Sequence, residues 1–257
     1  MALLLAPATS AAASPDLATA VSEATAQLRQ AWAADSTTAA LPFPAVRLLP
    51  RGASVDGVCT PAAPPRRPAP LAGDCAAKGE VLVDQDLLAV ATEGASAPRA
   101  RAVAAYWIAT ALAERLLPPT EGGPAPKALA TLQANCLGGV LLGARSALRA
   151  AADGTPLLSA ARTAYGDRYS SVVGSGSQRG YALLSGLGAT ASGCSSAEMA
   201  ALAKGTVTDP ARLAQIEALP PPERAYTSLM GAINSQCQPL PKKPCPRRIA
   251  SMRSSSN

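Results

Sequence analysis

The segment Tyr106-Trp107-Ile108-Ala109-Thr110-Ala111-Leu112-Ala113-Glu114-Arg115-Leu116 has the apolar spacing of a buried amphipathic helix. It lies inside a longer helical pattern from Ala97 to Leu117, which a Pro-Pro pair ends. A second long pattern, from Ala125 to Ala151, carries an apolar stripe of its own. These two segments predict a helical core on which the rest of the chain packs.

Shorter patterns flank this core. Asp16 to Ala34 is predicted to be an amphipathic helix. Leu41 to Leu49 is predicted to be an extended segment or edge strand, because its prolines cannot donate to a helix or a sheet. Glu80 to Asp84 is a short predicted strand. Further helices are expected near 157–165, after the glycines of 174–180, and at 197–204, 210–219 and 222–235.

The composition favours close-packed helices. Hydrophobic residues make up 48% of the 257 residues but aromatic residues only 3%, so the core must consist of Ala, Leu and Val. The length fits one domain. We expect a mainly α (α+β) fold with a small edge sheet. Its predicted parts are a remnant signal peptide at 1–14, an N-terminal helix and Pro-rich segment at 15–70, the core at 71–195, C-terminal helices at 196–235 and a basic tail at 236–257.

The chain has no histidine. Serine or cysteine catalysis that depends on histidine is therefore excluded, and so are imidazole metal ligands. The net charge of +6 is concentrated near the carboxyl end. Because no aromatic residues interrupt these charges, we expect a solvated tail and no nucleic-acid partner. The basic residues of the tail are Lys242, Lys243, Arg247, Arg248 and Arg253.

The six cysteines include no C-x-x-C pair and predict disulfides formed in an oxidising compartment. The small residues near Ala13 suit a signal-peptidase site, although the basic region of a signal peptide is missing. No segment has the roughly 20 apolar residues that span a membrane. We therefore expect an exported protein, secreted or held in the cell envelope.

Four motifs in sequence carry a resemblance to the bacterial neutral zinc metallopeptidase family, a zincin-like group. Pro42 and Pro44 follow the first helix, and Cys75 precedes the strand at 81–84. Tyr106-Trp107-Ile108-Ala109 leads into the position of the metal-binding helix. Leu132-Gln133-Ala134 and Cys136 stand where the family has E-L-Q-A-D-C, and Gly174-Ser175 with Gln178-Arg179 stand where it has H-G-S-x-x-Q-R. The resemblance covers about two thirds of the chain, by our matching of segments, and implies a zincin-like helical fold.

The sequence departs from that family at every catalytic position. The family's H-E-x-x-H motif places two zinc-binding histidines one helical turn apart, with a glutamate general base between them. Here Thr110 and Glu114 replace the histidines and Ala111 replaces the glutamate. Thr131 and Asn135 stand where the family has the third ligand and the following aspartate. We therefore expect no bound metal, no cofactor and no zinc-dependent catalysis.

The resemblance also implies a set of disulfide pairs and a cleft. The expected pairs are Cys59–Cys75, Cys136–Cys194 and Cys237–Cys245, and the second closes the longest loop. In zincins an edge strand before the metal helix aligns the substrate. A cleft is accordingly expected between that strand and the vacated helices, lined by Val81, Val83, Thr110, Glu114, Thr131, Gln178 and Arg179.

Three functions remain open. The first is a pseudo-peptidase that binds a protein, a peptide or a cell-envelope component. The second is an active hydrolase with a site that needs no histidine, for which Asp84, Asp86, Glu93 and Glu114 are the candidate carboxyl groups. The third is a structural spacer with a functional basic tail.

Overall fold

The computed structural model describes residues 16–63, 66, 68–117, 127–143 and 156–220. This part of the chain is mainly helical with one small mixed sheet, which confirms the predicted mainly α (α+β) class. The strands are β1 (Ala45–Leu48), β2 (Ala72–Cys75) and β3 (Glu80–Val83). The α-helices are α1 (Leu17–Ala34), α2 (Val55–Cys59), α3 (Gln85–Ala91), α4 (Ala97–Leu116), α5 (Leu129–Gly143), α6 (Pro156–Thr163), α7 (Ser170–Val173), α8 (Gly176–Gly186), α9 (Ser196–Ala203) and α10 (Pro210–Ala218).

Helix α1 forms where the pattern predicted a helix. Asp16 is its N-cap, and its side chain accepts a hydrogen bond of 3.0 Å from the backbone of Ala18. The apolar stripe of α1 packs on α4 and ends in Trp32, which is 2% exposed. The indole nitrogen of Trp32 donates to the carbonyl of Leu41 at 3.0 Å. This bond anchors the chain as it turns from α1 towards β1.

The sheet has the order β1–β3–β2, with β1 parallel and β2 antiparallel to β3. The short strand predicted at 80–84 is β3, and it is the central strand of this sheet because it has a neighbour on both sides. Val81, Leu82 and Val83 are each 0% exposed, as expected for a continuous apolar run that is buried on both faces. The edge strand predicted between Leu41 and Leu49 is confirmed as β1.

Helix α4 is the centre of the core. Between Ala100 and Ala113 nearly all of its side chains are buried, and it packs against α1, α5, α6 and β2. Helix α5 then crosses α8 at very short range, because a Cβ at Gly186 would lie 1.8 Å from the carbonyl oxygen of Cys136. Helices α9 and α10 join the same apolar cluster through Met199, Leu202 and Ile216.

Two disulfides tie these layers together, and both were predicted. Cys59–Cys75 joins the end of α2 to β2, and Cys136–Cys194 joins α5 to the segment before α9. Both bridges fit an oxidising compartment. Cys237 and Cys245 lie outside the described residues, as do the predicted signal remnant at 1–14, the helix at 222–235 and the tail at 236–257.

Candidate functional site

The three positions that the resemblance assigns to the H-E-x-x-H motif lie on α4, and the first of them faces α5. Thr110 is 6% exposed and packs on Gly138, where an added Cβ would lie 3.2 Å from the Thr110 backbone nitrogen. The Thr110 hydroxyl donates to the carbonyl of Trp107 at 2.9 Å. Ala111 is 1% exposed. Because the Thr110 hydroxyl is already hydrogen-bonded and Ala111 offers only a buried methyl, neither residue provides an acid, a base or a metal ligand.

The Asn135 side chain is likewise hydrogen-bonded to neighbouring groups of the protein. Its Oδ1 accepts a hydrogen bond of 2.7 Å from the Tyr106 hydroxyl, and its Nδ2 donates to the Thr131 carbonyl at 2.7 Å. Burial raises the pKa of Tyr106 well above its ordinary value, so this hydroxyl remains a donor at all physiological pH values. Among the described residues, no hydrogen bond joins the side chain of Thr131 to Thr110 or Glu114.

Glu114 has a different environment, at the end of α4 beside β2. It is partly buried and faces two charges, the carboxylate of Asp74 and the guanidinium of Arg66. Burial, opposed by Arg66 and reinforced by Asp74, raises the pKa of Glu114 to about 7. Burial also raises the pKa of Asp74, although its ion pair with Arg115 (3.0 Å) opposes that change. Glu114 thus titrates near neutral pH, where an ordinary glutamate is ionised.

Gln178 and Arg179 lie away from any open cleft. Gln178 closes a capping box with Ser175 at the start of α8, and its amide donates to the Leu202 carbonyl at 2.6 Å. Arg179 is 0% exposed and donates to the carbonyls of Ala161 and Arg162 at 2.9 and 3.0 Å, and also to that of Gly174. This arginine joins α8 to the last turn of α6 and to the loop at Gly174, because its several donors match carbonyls in both places.

The residues expected to line a cleft differ in exposure. Val81, Val83, Thr110 and Arg179 are buried, because β3 is the central strand of the sheet and α5 packs directly on α4. The three others are partly exposed: Glu114, Thr131 and Gln178.

A groove does occur between α3, α4 and α6, with a volume of about 30 Å³. Trp107 and Val103 lie in its wall, Leu71 borders it from the segment before β2, and Ser159 borders it from α6. The rest of the wall is mostly alanine and leucine, but it also includes Arg99 and Thr163, so the groove has a mixed lining in which apolar side chains are the majority.

The other candidate carboxyl groups of a hydrolase serve local structure. Asp84 caps α3 through a hydrogen bond of 2.9 Å from the Leu87 backbone. Asp86 accepts a hydrogen bond of 2.7 Å from the backbone of Gly52. Glu93 follows the end of α3. Two of the four carboxyl groups proposed from the sequence face a second carboxylate: Glu114 faces Asp74, and the buried Asp84 faces Asp86, so that burial first and then Asp86 raise the pKa of Asp84.

The partners that define the surroundings of Thr110 and Glu114 were not evident from the sequence. Tyr106 precedes Thr110 by four residues on α4, so the two lie on one helical face, and this spacing was a usable signal. Asp74 and Arg66 come from a segment read only as loop, and nothing local indicated that they face Glu114. Tyr165 was placed at the end of a helix, yet its ring packs on Trp107 with centroids 5.0 Å apart.

Within the described ranges, no three His, Cys, Asp or Glu side chains come together in a group that could hold a metal ion. Nor does any helix in those ranges have both the length and the apolarity to cross a bilayer. Comparison with models of known protein families, with curated proteins and with solved structures finds no match to this chain.

Proposed function

We propose that this chain is a non-catalytic, zincin-like binding domain of an oxidising compartment. In this proposal it is a pseudo-peptidase that retains the helices of a zinc peptidase and recognises a protein, a peptide or a cell-envelope component. The observation that supports the proposal best is that the side chains at the replaced catalytic positions are hydrogen-bonded or buried within the protein. The Thr110 hydroxyl and the Asn135 amide are bonded within the helices, and Ala111 offers only a buried methyl.

The chemistry of these side chains supports the loss of zinc catalysis. A catalytic zinc needs three protein ligands and an open position for water. The chain has no histidine, and Glu114 is the one carboxyl group among the four replaced positions that would hold zinc or act as its base. The groove beside Trp107 is the binding surface that we assign to the ligand, which would insert an apolar side chain there.

The first experiment measures metal content and hydrolysis. Purified protein should carry no stoichiometric zinc and should cleave no peptide in a broad screen, with or without added zinc. A variant that restores the motif with Thr110→His, Ala111→Glu, Glu114→His and Thr131→Glu should gain zinc if the resemblance is correct. The same variant without Thr131→Glu is the matched control and should bind zinc more weakly. Chelator-sensitive cleavage by the wild type would refute the proposal.

The second experiment tests the groove. Ser159→Arg places a long charged side chain at its border, and Ser170→Arg makes the same change on the exposed start of α7. In a pull-down from envelope material, Ser159→Arg should lose the partners that wild type and Ser170→Arg both retain. Equal recovery by all three proteins would place the binding surface elsewhere.

One observation favours a second candidate, a hydrolase that uses carboxyl groups. The raised pKa of Glu114, about 7, lets it donate a proton near neutral pH as a general acid does, and the Asp74 carboxylate acts on it. Glycosidase and peptidase screens of wild type and Glu114→Gln decide between the candidates. An activity that the variant abolishes would establish the hydrolase.

A further inference from the structure

The groove beside Trp107 is formed by one face of each of three helices. On α4 its wall consists of Arg99, Val103 and Trp107, at four-residue spacing, and on α3 it includes Leu87 and Ala91, at the same spacing. The third wall is a helical stripe of α6 that comprises Pro156, Ser159, Ala160 and Thr163. A groove between helices is a common docking surface for an amphipathic helix, whose side chains at positions i, i+3, i+4 and i+7 enter it.

The last described residues of the chain lie against α6. The guanidinium of Arg162 donates hydrogen bonds to the carbonyls of Leu219 and Pro220, both at 3.0 Å. Arg162 directly precedes Thr163, which borders the groove. The chain that follows Pro220 therefore starts at the helix that forms one wall of the groove. Residues 221–224 can reach up to about 14 Å when extended, which is more than the diameter of one helix.

The sequence after Pro220 contains an amphipathic pattern. The helix predicted at 222–235, outside the described residues, has large apolar side chains at positions i, i+3, i+4 and i+7: Tyr226, Leu229, Met230 and Ile233. A helix of this length is only marginally stable in water by itself, and its apolar stripe needs a surface on which to be buried. The pattern thus matches the spacing that a groove between helices accepts.

We propose that the apolar stripe of 222–235 docks in the groove beside Trp107 of the same chain and competes there with an external ligand. The docking needs no external ligand, whereas the competition rests on the proposed function. A segment joined to its binding surface by a short linker acts at an effective concentration in the millimolar range. An external ligand therefore enters the groove only when it displaces this segment.

Photocrosslinking in the full-length chain tests the docking. A benzophenone amino acid in place of Ser159 puts a reactive group at the border of the groove, and the same replacement of Ser170 puts it on the exposed start of α7. After irradiation, reduction and tryptic digestion, the probe at position 159 should be linked to the peptide 225–242 of its own chain, and the probe at position 170 should not. The docking is overturned if the probe at 159 reacts only elsewhere, only with a second copy, or not at all.

Met230→Asp and Ser228→Asp form a matched pair of variants, because Met230 belongs to the apolar stripe and Ser228 lies on the opposite side of the predicted helix. Met230→Asp should lower the yield of the crosslink to 225–242 about tenfold, since burial of one methionine side chain changes an equilibrium by at least that factor. Ser228→Asp should keep the wild-type yield. Equal yields for the two variants would also overturn the docking.

The pull-down separates the docking from the proposed function. Met230→Asp should recover more of the partner than wild type does, because the groove is then open, and unchanged recovery would refute the competition. Loss of the partner by Ser159→Arg tests the external ligand, and the crosslink to 225–242 tests the internal segment, so either can fail while the other holds.

Discussion

The hydroxyl of Tyr106 donates a hydrogen bond of 2.7 Å to Oδ1 of Asn135, across the interface between α4 and α5. Both residues are buried, at 0% and 1% exposure. The bond fixes one amide of α5 against the central helix, at a position where the sequence resemblance predicts an aspartate. Polar groups in this interface thus stabilise the helix packing.

Tyr106→Phe removes this bond and leaves a buried amide oxygen without its donor. We expect a loss of about 1–3 kcal/mol in the free energy of unfolding, because an unsatisfied buried acceptor loses its hydration without compensation. Urea titration measures this change in the free energy of unfolding. Tyr169→Phe is the control, since among the described residues the Tyr169 hydroxyl has no hydrogen bond, and it should be nearly neutral. Equal stability of both variants would contradict the assigned bond.

Gly186→Ala introduces a methyl group where α5 and α8 touch. The new Cβ would lie 1.8 Å from the Cys136 carbonyl oxygen, so backbone must move, and we expect a loss of more than about 3 kcal/mol. Gly143→Ala is the matched comparison. Its Cβ would meet the Leu187 side chain at 3.2 Å, which can adjust, so its thermal midpoint should fall much less. A mild effect at both positions would refute the close crossing.

Arg179→Lys keeps the positive charge but loses the planar fork of donors. A lysine cannot donate to the three carbonyls, two in the last turn of α6 and one at Gly174, in the same geometry, so we expect a cost of about 2–4 kcal/mol in unfolding free energy. The comparison is Arg47→Lys in the half-exposed pair with Glu80, which should cost less than about 1 kcal/mol. Similar midpoints for the two variants would argue against a structural role for Arg179.

Removal of the disulfides should have unequal effects. Cys136–Cys194 spans 58 residues and Cys59–Cys75 spans 16, so chain-entropy arguments give about 4 and about 3 kcal/mol respectively. Double serine variants of each pair, compared in guanidinium, measure the two contributions. A reducing agent should lower stability more than a chelator does. The reverse result would indicate a structural metal.

Glu114 should make the stability depend on pH. Its pKa is about 7 in the folded chain and has the ordinary value of 4.5 in the unfolded chain, so the folded state binds the extra proton between these values. The contribution of Glu114 to the free energy of unfolding therefore falls as pH rises from 4.5 to 7, and it remains low at higher pH. With solvent screening of a partly exposed group, the loss is on the order of 2 kcal/mol. Glu114→Gln should flatten this part of the unfolding profile.

The sequence by itself determined the elements and their class. Apolar periodicity located α1, α4 and α5, prolines marked β1 as an edge strand, and both described disulfides were paired correctly. It also determined the lack of imidazole chemistry, because composition does not depend on folding. These features are local or compositional, so they can be predicted without knowledge of the fold.

Only the tertiary structure decided which surfaces are open and which charges meet. The apolar run of β3 predicts a buried strand but does not identify its neighbours, so its central position in the sheet could not be predicted. Glu114 and Asp74 are 40 residues apart, and their shared environment arises from the packing of α4 on β2. Burial and proximity between distant segments are set by the whole packed core, and these quantities control the pKa of Glu114 and the location of the groove.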